Sequence, residues 1–75
     1  MERAKPFSDW DIDEVAQWIE HVLKLPQYRE KFMGLGVDGS VLEYVTDEDL
    51  QNDFGIGIRI QRVKILEGIK KLKQN

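Results

Sequence analysis

Cysteine is absent from this sequence. That excludes disulfides, thiolate metal sites and thiol chemistry, and it agrees with a reducing compartment. No apolar run approaches the ~20 residues of a membrane-spanning helix. The start, Met1-Glu2-Arg3-Ala4-Lys5-Pro6, lacks the apolar stretch of a secretory signal. These absences point to the cytoplasm and leave the nucleus open. Basic residues are not in excess either. Eleven Lys and Arg stand against 14 Asp and Glu, a net charge of −3, so the general electrostatic footprint of a nucleic-acid-binding domain is missing. A chain of 75 residues makes one domain at most, close to the size at which a single core becomes marginal. Nearly every apolar side chain is then needed for packing.

The ingredients of catalysis are also scarce. A reaction centre needs a nucleophile, a base or a metal held in a cleft. The single histidine, His21, falls on the polar face of an amphipathic segment, where a solvated imidazole is the simplest reading. Asp47, Glu48 and Asp49 are consecutive on a helix and diverge, and their spacing is not that of a calcium loop. Gly34-Leu35-Gly36 and Gly55-Ile56-Gly57 are too short to cradle a phosphate and better suit helix ends. No catalytic, cofactor-binding or metal-ligating residue is expected, no cofactor, and no enzyme.

What remains is helical periodicity from end to end, with no segment alternating at period two. Residues 1–9 read as an extended lead-in, residues 10–73 as the folded domain, and 74–75 as a tail. Phe7 and Trp10 should lie across the core, because so short a chain cannot leave two large aromatics idle. Asp11 with Glu14 three residues on forms a capping box for a first helix, Ile12 to Leu23. On a helical wheel Ile12, Val15, Ala16, Trp18, Ile19, Val22 and Leu23 share an arc of roughly 160°, the face that should turn inward. Pro26 opens a second helix over Gln27–Met33, with Tyr28 and Phe32 on one side. A short third helix covers Ser40–Tyr44. Thr46 caps a fourth, Asp47–Asp53, and the longest runs from Ile58 to Lys73. The fold class is all-α, a compact five-helix bundle with a long C-terminal helix.

The second half is electrically two-ended. From Asp38 to Asp53 there are six acids and no base: Asp38, Glu43, Asp47, Glu48, Asp49 and Asp53. From Arg59 onward there are six bases, Arg59, Arg62, Lys64, Lys70, Lys71 and Lys73, against Glu67 alone. Along the last helix Ile58, Ile65, Ile69 and Leu72 fall within about 40° of one line, the core stripe. Ile60 and Val63 lie on the far side, ringed by positive charge. Solitary apolar residues on a surface are ordinary, and acids in a first helical turn are ordinary capping. It is the complementarity of the two segments that suggests a contact.

The ordered set of residues resembles the sterile alpha motif (SAM) family. Trp10, Glu14-Val15 and Trp18-Ile19 are similar to the family's opening. Leu25, Tyr28 and Phe32 resemble its second helix, and Val37-Asp38-Gly39 with Leu42 the turn into the third. Thr46, Glu48, Leu50 and Phe54-Gly55-Ile56 resemble the fourth helix and its exit. Arg62, Ile65-Leu66, Ile69 and Leu72 resemble the fifth. There are two departures. An extra residue stands between Trp18 and Leu25, which should lengthen the exit from the first helix. Ile60 stands where many relatives have glycine, which shifts the start of the last helix.

The resemblance implies a protein–protein interaction module within a larger signalling or scaffold protein. Its implied partners are other SAM domains, the same chain or a different one, joined head-to-tail as a homo-oligomer or polymer. It implies an end-helix surface, which maps to Ile58, Arg59, Ile60, Arg62, Val63 and Lys64. It also implies a mid-loop surface, which draws on Asp38, Glu43, Asp47, Glu48, Asp49 and Asp53. Two alternatives follow from the basic last helix: binding of an RNA hairpin, or of anionic lipid through Lys70, Lys71 and Lys73. The negative net charge counts against nucleic acid, and three lysines at a helix C-terminus already complement its dipole.

Overall fold

The computed structural model describes residues 5–74. Residues 1–4 of the expected lead-in, and Asn75 of the expected tail, lie outside the described residues. Five α-helices follow one another, α1 (Ile12–Gln17), α2 (Arg29–Gly34), α3 (Gly39–Leu42), α4 (Asp47–Asn52) and α5 (Arg59–Gln74), with no strand among the described residues.

The capping signals act as the sequence predicts. Asp11 Oδ1 accepts from the Glu14 N–H at 2.8 Å, and Glu14 Oε1 accepts from the Asp11 N–H at 2.9 Å. That bond, reinforced by Lys5 Nζ at 2.9 Å, lowers the pKa of the Glu14 carboxyl. Thr46 and Asp49 form a second capping box at α4. Asp38 caps α3 and accepts from the Val41 N–H at 3.1 Å and the Ser40 hydroxyl at 2.7 Å.

Three expectations are corrected. The lead-in is not extended throughout, since Phe7–Asp9 forms a 3-10 turn. It is seated on α3 by a bond from the Gly39 N–H to the Trp10 carbonyl, 2.9 Å. A Cβ at Gly39 would stand 1.9 Å from the Phe7 carbonyl oxygen, so the contact requires glycine. The first helix is not uniform to Leu23. After Gln17 it widens into a π turn over Trp18–Val22, with the Leu23 N–H reaching back five residues to the Trp18 carbonyl at 3.0 Å. A π turn holds one more residue than an α turn, and it absorbs the extra residue noted between Trp18 and Leu25. Lys24, at φ 61°, then reverses the chain. The wider turn also rotates Val22 off the inward arc, and it is 65% exposed. Lastly, Ile58 precedes α5 and does not join its core stripe; it is 57% exposed.

The core is one cluster. Val15, Ile19, Phe32, Val37, Leu42, Leu50, Ile56 and Ile65 are fully buried at its centre. Phe32 and Phe54 meet with their rings tilted at 51° and centroids 4.6 Å apart. Phe7 and Trp10 pack against this cluster as expected, and Trp10 meets Trp18 at 6.3 Å. The end of the first helix rests on Gly68 of α5, where a Cβ would come within 2.9 Å of the Trp18 ring. The Tyr28 hydroxyl bonds to Gln61 Oε1 and ties the entry of α2 to α5. Among the described residues no helix is long and apolar enough to cross a membrane.

Candidate functional site: an acidic groove and a cationic tip

The short helices α3 and α4, with the end of α2, leave an open groove between them. Leu35, Val37, Val41, Tyr44, Val45 and Phe54 form its apolar lining, and Ser40, Asp49, Asn52 and Asp53 its polar part. Leu35 and Val41 are each 46% exposed and Tyr44 76%. These three side chains show more apolar surface than a core-directed reading of the sequence allows. Leu35 is carried outward between Gly34 and Gly36, the latter at φ 69°, after α2 has ended. Val41 and Tyr44 stand three apart, on the outer side of α3 and just past it.

The structure separates the six acids of this region by role. Asp49 and Asp53 line the groove. Asp49 also accepts from the Thr46 N–H at 3.1 Å, so part of its charge serves the cap. Asp38 is held in the α3 cap, and the Ser40 hydroxyl and Val41 N–H lower its pKa. Asp47 turns toward α5. Glu43 is half-buried and Glu48 exposed, and neither joins the groove lining.

Around the start of α5, Ile58, Arg59, Ile60 and Lys64 are exposed, and Ile60, at 69%, is more open than Ile58. Val63 is half-buried, flatter on the surface than its wheel position predicts. Arg62, expected on this tip, is buried instead, with 7% of its surface exposed. Its Nε donates to Asp47 Oδ1 at 2.9 Å and its Nη1 donates to the Ile56 carbonyl at 2.8 Å. The charge that the sequence assigns to one surface is thus spent inside the fold, on an acid assigned to the other. His21 stays exposed at the π turn, 4.0 Å from Glu20. Lys70, Lys71 and Lys73 are exposed along the C-terminal end of α5.

Tyr44, Leu35 and Val41 were the functional candidates hardest to read from sequence. The signal was there in Val41 and Tyr44, apolar and three apart inside an acidic run, but the same spacing also describes a core face.

The family model for the SAM domain (sterile alpha motif) matches residues 8–73. The chain is 38% identical over 69 residues to SH3 and multiple ankyrin repeat domains protein 2 of Xenopus laevis, covering 92% of this chain and 5% of that protein. It is 36% identical over 70 residues to diacylglycerol kinase delta of Mus musculus, covering 93% of this chain and 6% of that protein. The chain therefore spans less than a tenth of either relative, and the kinase activity in the second name belongs to that whole protein. Among solved structures, the Polyhomeotic SAM domain superposes with a TM-score of 0.84, over 93% of this chain and 99% of that one, at 23% identity. That likeness is one of fold.

Proposed function

Because the chain belongs to the sterile alpha motif family, we propose that it is a non-catalytic interaction module whose α5 tip docks into the α3–α4 groove of a second copy. One observation carries this reading: the two surfaces are matched in kind. The groove is apolar, with the carboxylates of Asp49 and Asp53 at its side. The tip offers Ile58 and Ile60 with the cations of Arg59 and Lys64 around them. Apolar side chains that leave water together supply affinity. Opposite charges around them steer the encounter and set register. Arg59 is suited to this, since its planar fork can engage a carboxylate with two bonds.

Groove and tip are different patches on one chain, so each copy has one of each to offer. Such a contact is heterologous and propagates into rings or open filaments rather than closing as a two-fold dimer. Another SAM domain with a comparable tip or groove would dock by the same chemistry, which makes mixed assemblies part of this reading. A place in the cytoplasm, inside a scaffold or signalling protein, is the setting that suits such a module.

Sedimentation velocity over a concentration series tests the proposal. The mass of the wild-type chain should rise with concentration. Arg59→Glu, which spoils the tip, and Asp53→Lys, which spoils the groove, should each sediment as a monomer. Mixing those two variants should restore a single contact and stop at dimers, because the intact tip of one meets the intact groove of the other. A wild-type chain that stays monomeric up to ~1 mM, the weak limit of useful affinity, would refute self-association.

A further inference from the structure

Arg62 lies between the two docking surfaces and belongs to neither. Its guanidinium is buried, and it bridges two elements: Asp47 in the first turn of α4 at 2.9 Å and the Ile56 carbonyl at 2.8 Å. Ile56 is itself held to α4, its N–H donating to the Leu50 carbonyl at 3.0 Å. Two residues later the chain reaches Ile58, whose carbonyl accepts from the Gln61 and Arg62 N–H groups at 3.0 and 3.2 Å. Ile56 anchors the stretch from Gly55 to Ile58 in the core, and these bonds orient the backbone on either side of it. Gly55 sits at φ 68°, and nothing packs within 4 Å of where a Cβ would be on Gly55 or Gly57.

We infer that Arg62 and Asp47 act as a positioning pair that fixes the direction in which α5 presents Ile58, Arg59 and Ile60. Docking by the tip then depends on a carboxylate that sits in the element carrying the opposite surface. The inference rests on the head-to-tail reading above and adds to it a role for two residues that the contact itself does not need. The guanidinium is the buried member of the pair, while the Asp47 side chain is 52% exposed. Removing that carboxylate leaves the buried charge without its partner. With Asp47 neutralised, the guanidinium swings toward water and releases the Ile56 carbonyl, and the tip loses its fixed bearing. A rigid tip binds without an ordering cost, and a loosened one must be ordered on docking.

The test uses the pair of variants that makes a single contact. In the Asp53→Lys chain the groove is already disabled, so its Asp47 can no longer act through the groove and only its tip engages the Arg59→Glu partner. Adding Asp47→Asn to the Asp53→Lys chain should weaken that contact about three- to tenfold, the size of coupling that packed networks carry. Titration calorimetry well below the melting temperature reads it. Arg62→Lys in the same chain keeps the charge, loses the fork, and should act in the same direction. Glu67→Gln, which also removes one acid, should leave the affinity within about twofold. An unchanged affinity with Asp47→Asn, or an equal loss with Glu67→Gln, would overturn the inference.

Amide hydrogen exchange of the isolated chain gives a second arm that needs no partner. Asp47→Asn should speed exchange at Ile56, Gln61 and Arg62 while Ile19 in the first helix keeps its protection. A uniform rise would mean general destabilisation and would contradict a positioning role, as would no change. If the reference pair fails to form a complex, the head-to-tail reading falls together with the docking half of the inference. The exchange arm then judges the positioning half alone.

Discussion

Gly39 and Arg62 show at the residue scale how much one side chain, or the lack of one, decides here. Gly39 lets the Phe7–Asp9 turn lie directly on α3, with a missing Cβ that would stand 1.9 Å from a backbone oxygen. That oxygen cannot rotate away. Gly39→Ala should therefore cost about 2–3 kcal/mol, the upper range for overpacking, as measured by urea unfolding. Its effect should include loss of the Trp10 packing, visible in the fluorescence of the folded state. The turn into α3 was legible from Val37-Asp38-Gly39, but the reason for glycine was not, because its neighbour lies some thirty residues away in the chain. Arg62 was misread for a similar cause. A wheel places an arginine relative to its own helix and says nothing of a carboxylate waiting on another. The acids at helix starts are simpler. Glu14 and Asp38 titrate below their ordinary values of 4.5 and 3.8 in the folded chain. The unfolded chain therefore binds more protons as the pH drops through that range, and stability falls with it. A Glu14→Gln, Asp38→Asn double variant keeps both caps as amides. Its melting temperature should lie below the wild type's near neutral pH, and the gap should close as the pH falls toward about 2.5.

At the scale of elements, the helices were legible wherever a cap and a period agreed. Asp11 with Glu14, and Thr46 before an acidic turn, marked the starts of α1 and α4, and Gly34 and Gly36 the end of α2. What escaped was the change of helix type at Trp18. Wheel arithmetic assumes 100° per residue, so it carried Val22 inward with Ile19. The π turn exposes Val22 and keeps Trp18, Ile19 and Leu23 buried. The surplus residue between Trp18 and Leu25 is legible in the sequence, and the structure stores it inside the helix rather than after it. Deleting His21 should convert the π turn to an α turn without moving those three side chains. The shortened chain should fold, with a thermal midpoint within about 4–8 °C of the parent, the shift that ~1 kcal/mol produces in a domain of this size. Loss of the cooperative transition would mean that the extra residue supports the fold and is not an insertion.

At the scale of the whole molecule, the sequence announced two charged ends, and the structure refines what each end is made of. The acidic end is not a uniform shoulder. Capping takes Asp38 and part of Asp49, and Arg62 takes Asp47, so Asp53 beside Leu35, Val41 and Tyr44 becomes the sharper candidate. The basic end loses Arg62 to the interior and keeps Ile58, Arg59, Ile60 and Lys64. Head-to-tail docking requires that Ile60 of one copy meet Tyr44 of the next. A double-mutant cycle in the single-contact pair measures this directly, with Ile60→Ala in the Asp53→Lys chain and Tyr44→Ala in the Arg59→Glu chain. Side chains in contact should show a coupling of at least about 0.5 kcal/mol, with the double variant losing less than the sum of the single losses. Additive losses, or single substitutions that leave the affinity untouched, would contradict the account.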